Sequence, residues 1–178
     1  MTRDEIEVRS SYLLLACSQA IEHLHDHLVA VLPSSVVPSN PLLQRTLRRE
    51  LGLIFRYWVT KQIWDRAELV EADARQLNLV LLRLFTEAFH LPRDGSGLRY
   101  AELSSFEEEA RELSRRIVHA APGAPQSFLA ELRGALSRCQ ETVRRQTADA
   151  LDLPTGRLTA SVTAWMESKS EKRSKSKP

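Results

Sequence analysis

PLLQRTLRRELGLIFRYWVTKQIW, residues 41–64, carries apolar side chains on two opposite sides of one predicted helix. At about 100° per residue, Leu47, Leu51, Ile54, Phe55 and Trp58 fall on one face, and Leu42, Leu53, Tyr57 and Trp64 gather roughly opposite. Arg45, Arg49 and Arg56 line a strip between them. A surface helix of a globular domain usually shows a single apolar arc. This one is therefore either sandwiched between neighbours or half reserved for a partner.

The surrounding chain is helical in pattern. All eight prolines, at 33, 38, 41, 92, 122, 125, 154 and 178, fall between periodic segments or at their first turn, leaving long spans free of helix breakers. No alternating run rich in Val, Ile and Thr supports a strand. Thr2 and Glu5 have capping-box spacing and open a first helix to about Leu32, with Ile6, Leu13, Leu24 and Leu28 inward. Asn40 and Pro41 start the second. From Pro41 to Leu91 a single rod would reach about 75 Å, so a break is expected between Trp64 and Asp73, where Asp65 and Asp73 could cap. Leu69, Leu77, Leu81 and Leu84 then give the third helix its core side. Ser104 or Ser105 caps a fourth helix to Ala120. A fifth runs from about Pro125 to Leu151 on Phe128, Leu132, Leu136, Cys139, Val143 and Ala150. Pro154 opens a sixth with Leu158, Val162 and Trp165. The fold class is all-α, a single bundle of five to six helices over residues 1–166, followed by a disordered Lys/Ser-rich tail at 167–178.

At 178 residues, 43% hydrophobic and 27% charged, the chain suits one folded domain. Its net charge of +2 is unevenly spread: the tail ESKSEKRSKSKP contributes +3 and leaves the body at −1. A near-neutral body lacks the domain-wide basic character of a non-specific nucleic-acid binder. Cys17 and Cys139 sit in apolar helical stretches as buried reduced thiols. The acidic start MTRDEIEVRSS and the absence of any long apolar run predict neither a signal peptide nor a membrane span, and hence a cytoplasmic protein.

Three groups of residues could carry chemistry. His23 and His27 share a helix face at a spacing that can supply two metal ligands. Glu22 with His25, and Glu87 with His90, have the Glu-x-x-His spacing of carboxylate-bridged bundles, but such a site needs two further inward carboxylates. A half-exposed polar edge accounts for the histidines without metal.

At the end of the fourth helix, SRRIVHA places Arg115 and His119 one turn apart. An Arg that grips phosphate beside a His that moves a proton would suit metal-free RNA cleavage. Here, and in VRSSYLLLACSQAIEHL, the chain resembles the HEPN family, compact helical bundles that include many ribonucleases. The resemblance implies RNA as a possible partner. None of Arg111, Arg115 and Arg116 stands at the family's spacing from His119, so the catalytic role is not carried over.

The arginine strip with Tyr57 and Trp64 is the third group. Gly52 lies on the strip and Arg48 beside it, and a glycine there would let a backbone or a phosphate come close. Trp, Tyr and Arg are enriched at interface hot spots. No dinucleotide fingerprint, P-loop, nucleophile elbow or paired-cysteine zinc motif appears, and no cofactor is called for. The expectation is a non-enzymatic protein–protein interaction module, self-associating into a homo-oligomer, with Arg45, Arg49, Arg56, Tyr57 and Trp64 in the contact surface. The alternatives are a HEPN-like RNA-binding protein or ribonuclease using Arg115 and His119, and a metal-binding bundle using His23 and His27.

Overall fold

The computed structural model describes residues 1–31, 41–91, 103, 105–120 and 126–175, with side chains placed for all of these except 41–43, 117–120, 126–129 and 169–175. Six helices follow in order: α1 (Arg3–Val31), α2 (Pro41–Trp64), α3 (Glu71–Phe89), α4 (Phe106–Ala120), α5 (Gln126–Asp152) and α6 (Thr155–Lys175). Among the described residues there is no strand, and no helix is long and apolar enough to cross a membrane.

The helix starts follow local chemistry. Thr2 and Glu5 close a capping box: the Glu5 N–H donates to Thr2 Oγ1 at 3.2 Å, and the Thr2 N–H donates to Glu5 Oε2 at 2.7 Å. Ser105 Oγ accepts from the Glu108 N–H at 3.3 Å and caps α4. The break after Trp64 falls where expected, but neither aspartate caps there. Val70 is the N-cap of α3, in extended backbone with no side-chain bond. Asp73 lies within the first turn beside Glu71, where a carboxylate favours the positive end of the helix dipole. The predicted caps Asn40 and Ser104, and the loops at 33–40 and 92–100, lie outside the described residues. The sixth helix continues past Met166 to Lys175; between Gly156 and Pro178 the chain holds no residue that breaks a helix.

α2 is the middle of the bundle, packed against α1, α3, α4 and α5. That placement explains the double stripe. Leu47, Leu51, Ile54, Phe55 and Trp58 are buried on one side, and Leu53, Val59 and Ile63 are buried on others, all at 2% exposure or less. Each such side chain is worth roughly 1.5–3 kcal/mol on burial. Four surrounding helices take up most of the apolar surface that the described residues of α2 present.

α1 is the other shared neighbour, touching α2, α3, α5 and α6. Its Arg9 reaches the end of α5, where the last carbonyls of a helix have no partner within it. One guanidinium nitrogen donates to the carbonyls of Ala150, of Leu151 at 3.0 Å and of Leu153 at 3.4 Å. One turn on, the Tyr12 hydroxyl donates to Gln146 Oε1 at 2.7 Å. α6 packs on α1 through the buried Leu158 and the half-buried Val162.

Candidate anion-binding groove

Arg45, Arg48 and Arg49 recur at three- and four-residue spacing and so share one face of the first half of α2. All three are exposed. With Thr46 they form one wall of a groove of about 500 Å³, whose other wall is Ala88, Phe89 and His90 at the end of α3. Among the described residues no carboxylate lines it. Glu50, next to Arg49 in α2, is buried at 4% exposure. Its Oε2 accepts from Arg116 at 2.8 Å, and its Oε1 lies 3.4 Å from Arg49. Arg116 from α4 thus balances Glu50 from the inside. Arg45 and Arg48 face the groove without an ion-pair partner among the described residues.

Gly52 brings the two walls together. It is buried, and a Cβ built on it would lie 2.9 Å from both Cβ and Cγ of Phe89 and 3.2 Å from Leu91 Cδ2. The close approach that this glycine permits is therefore taken by the chain's own Phe89, not by a phosphate. Gly52→Ala gains up to about 1 kcal/mol of helix propensity but forces the end of α3 outward, at a cost of roughly 1–3 kcal/mol. The expected result is a net loss of stability in urea denaturation, and a net gain would show that α3 yields freely.

His90 ends α3 in the left-handed region, at φ 50° and ψ 45°, with its N–H donating to the Thr86 carbonyl. Glycine adopts this geometry at no steric cost, whereas an L side chain gives up roughly 1–2 kcal/mol. The strained residue is also one of those that line the groove. Sequence reading missed Phe89 and His90 as partners of the arginines, and the available signal was only that a helix had to end before Pro92.

The other strip and stripe residues do not join this groove. Arg56 sits one turn beyond Gly52, half-buried, and burial pushes its guanidinium below the usual range. Tyr57 packs against the core and its hydroxyl bonds Glu109, while Trp64 at the end of α2 is 47% exposed. Glu109 is the most enclosed carboxylate described, at 1% exposure, and its Oε2 accepts from Trp58 Nε1 at 2.6 Å. Burial raises its pKa, opposed by the Trp58 bond, the charge of Lys61 and the Tyr57 bond. The Trp58 ring also stacks at tilted angles on Phe55 and Phe106, with centroids at 5.3 and 6.3 Å. Together these contacts join α2 to α4. A second groove of about 600 Å³ between α2 and α5 has a mixed-charge wall of Lys61, Arg66, Asp65, Glu141 and Arg144, with no dominant sign.

The remaining candidates separate. Arg115 forms a two-pronged pair with Glu112, both contacts at 2.9 Å, and Arg116 adds a third at 2.8 Å. The Arg115 bond, followed by that of Arg116, holds Glu112 down at about 2. The His119 side chain lies outside the described residues. His23 and His27 are exposed, His27 Nε2 stands 3.6 Å from Glu131 Oε2, and the buried histidine is His25 between them. Glu22, Glu87 and His90 are exposed. Among the described residues no three His, Cys, Asp or Glu side chains are placed to hold a metal ion. Both cysteines are free, Cys17 buried and Cys139 half-buried, and burial pushes their thiols up to about 12 and about 11. Thiols so protonated at neutral pH are poor nucleophiles.

Compared with protein-family models, curated proteins and solved structures, the chain matches none. What the fold and the groove define is an all-α bundle with a positively charged cleft between two of its helices.

Proposed function

We propose that this protein is a non-enzymatic helical interaction module that holds an acidic segment of a partner protein in the groove between α2 and the end of α3. The observation that carries the reading is the lining: Arg45, Arg48 and Arg49 on one wall, and no carboxylate among the described residues of either. Exposed guanidinium rows are ordinarily neutralised by carboxylates from adjacent helices. Here Glu50, the carboxylate next to Arg49 on α2, is already bonded by Arg116, and Arg45 and Arg48 have no ion-pair partner among the described residues. Like-signed charges held within a single turn repel, at a cost of tenths of a kcal/mol per pair, and an anion in the groove removes that repulsion.

This reading places the contact surface on the arginines of α2, while the exposed Trp64 stays open to contact between copies. Binding of polyglutamate, followed by fluorescence anisotropy, is expected to weaken as salt rises, because exposed charges are screened. The double variant Arg45→Glu/Arg48→Glu should bind at least about tenfold more weakly, which corresponds to 1.4 kcal/mol, with unchanged helicity by circular dichroism. Equal binding by the parent and the variant would remove the groove from consideration.

A further inference from the structure

Resting on the reading of the groove as the site of an acidic partner, we infer that the group it recognises is a phosphate monoester on a ring-bearing side chain, as in a phosphotyrosine segment of another protein. Three observations point that way.

The first is charge density. Arg45, Arg48 and Arg49 place three positive charges within about one helical turn, facing a single small groove. One phosphate monoester carries about −1.5 to −2 at neutral pH and presents three acceptor oxygens to such a cluster. A carboxylate brings one charge and two oxygens, so matching the cluster would require ordering two or three acidic side chains at once. Guanidinium groups are also the side chains whose planar fork fits phosphate oxygens in pairs.

The second is the opposite wall. Ala88 and Phe89 give it an apolar surface beside the arginines, and the floor is drawn close because Gly52 admits Phe89. A flat ring attached to the phosphate would lie against that surface, whereas an acidic peptide makes no use of it. The volume of about 500 Å³ is within the range of pockets for small groups and is too small for a folded surface.

The third is His90. A non-glycine residue held at φ 50° at the rim of the groove is strained where glycine would not be. Such strain concentrates at binding sites, where the side chain is kept for what it contacts. Here it places His90 on the wall opposite the arginines, and an imidazole N–H can donate to a phosphate oxygen.

The test uses the full chain and a labelled alanine-flanked peptide carrying one phosphotyrosine, compared with the same peptide carrying tyrosine, with polyglutamate and with adenosine monophosphate. The phosphopeptide is expected to bind at least about tenfold more tightly than its tyrosine form. Arg45→Gln/Arg48→Gln should abolish that preference. His90→Gly, which relieves the backbone and so keeps the fold, should weaken phosphopeptide binding several-fold while leaving polyglutamate binding unchanged. Equal affinity for the phosphorylated and unphosphorylated peptides, with arginine-dependent polyglutamate binding retained, would overturn this inference and leave the acidic-partner reading standing. Binding of adenosine monophosphate as tight as that of the phosphopeptide would also overturn it, by assigning the groove to a nucleotide. If no anionic probe bound, both readings would fall together.

Discussion

Replacing Trp58 with Ala should cost about 3–5 kcal/mol, the range for removing a large buried aromatic side chain. That is a large share of the 5–15 kcal/mol that holds a typical domain together. Two losses combine. The ring is 2% exposed and fills the space between Phe55 and Phe106, and its N–H bonds the enclosed carboxylate of Glu109 at 2.6 Å. Trp58→Phe separates them, since it keeps much of the packing and takes away the donor. It should cost about 1–3 kcal/mol, the penalty for leaving a buried acceptor short of a partner. Urea denaturation of both variants checks the pair, and a Phe variant as stable as the parent would show that the bond contributes nothing.

The same carboxylate gives a signed pH dependence. Burial raises the folded-state pKa of Glu109 above its ordinary value of 4.5. Its contribution is therefore fully present below that ordinary value and is lost as pH rises through the folded one. Glu109→Gln removes the loss, so the variant should gain on the parent as pH climbs from 4.5 toward neutrality. Glu112 runs the other way: held at about 2 by Arg115 and Arg116, it contributes above 4.5 and loses that contribution as pH falls toward 2.

The second large effect is a contrast between two residues of one stripe. Tyr57→Glu should unfold or severely weaken the protein, by roughly 3 kcal/mol or more, because it sets a new carboxylate against Glu109 in a partly buried place. Trp64→Glu should cost about 1 kcal/mol or less, from partial burial of the ring and an acid at a helix C-terminus. Melting temperatures of the two variants should differ by many degrees. Light scattering on Trp64→Glu adds a check: a mass below that of the parent would place this residue in an interface between copies.

That contrast marks where periodicity stopped being informative. The start of α2 at Pro41 and its end at Trp64 could be read directly, because Asn40-Pro41 is a local start signal and the apolar spacing runs unbroken between them. Two apolar faces on one helix were equally plain. How many neighbours cover them is a property of the whole chain, and Tyr57 turned out to meet Glu109 on α4, far along it. Glu109 was hidden for a related reason. In the first turn of α4, next to Glu107 and Glu108, it looks like a solvated acid favouring the helix dipole, and only the position of Trp58 shows otherwise. The α3 N-cap was missed because Val70 offers no capping side chain. Half of the groove was visible as an arginine row. The other half depends on Gly52 drawing Phe89 and His90 alongside from the far end of α3, a juxtaposition that no local pattern encodes.

The grip of Arg9 on the end of α5 spans 141 residues or more of chain. At a synthesis rate of about 5–20 residues per second, the segment that emerges early waits on the order of ten seconds for its counterpart to be made. Throughout that interval α1 has α2 and α3 beside it but neither α5 nor α6. α1 is thus covered in two stages, by α2 and α3 before α5 and α6, and in between one part of its surface stays open for a chaperone to hold.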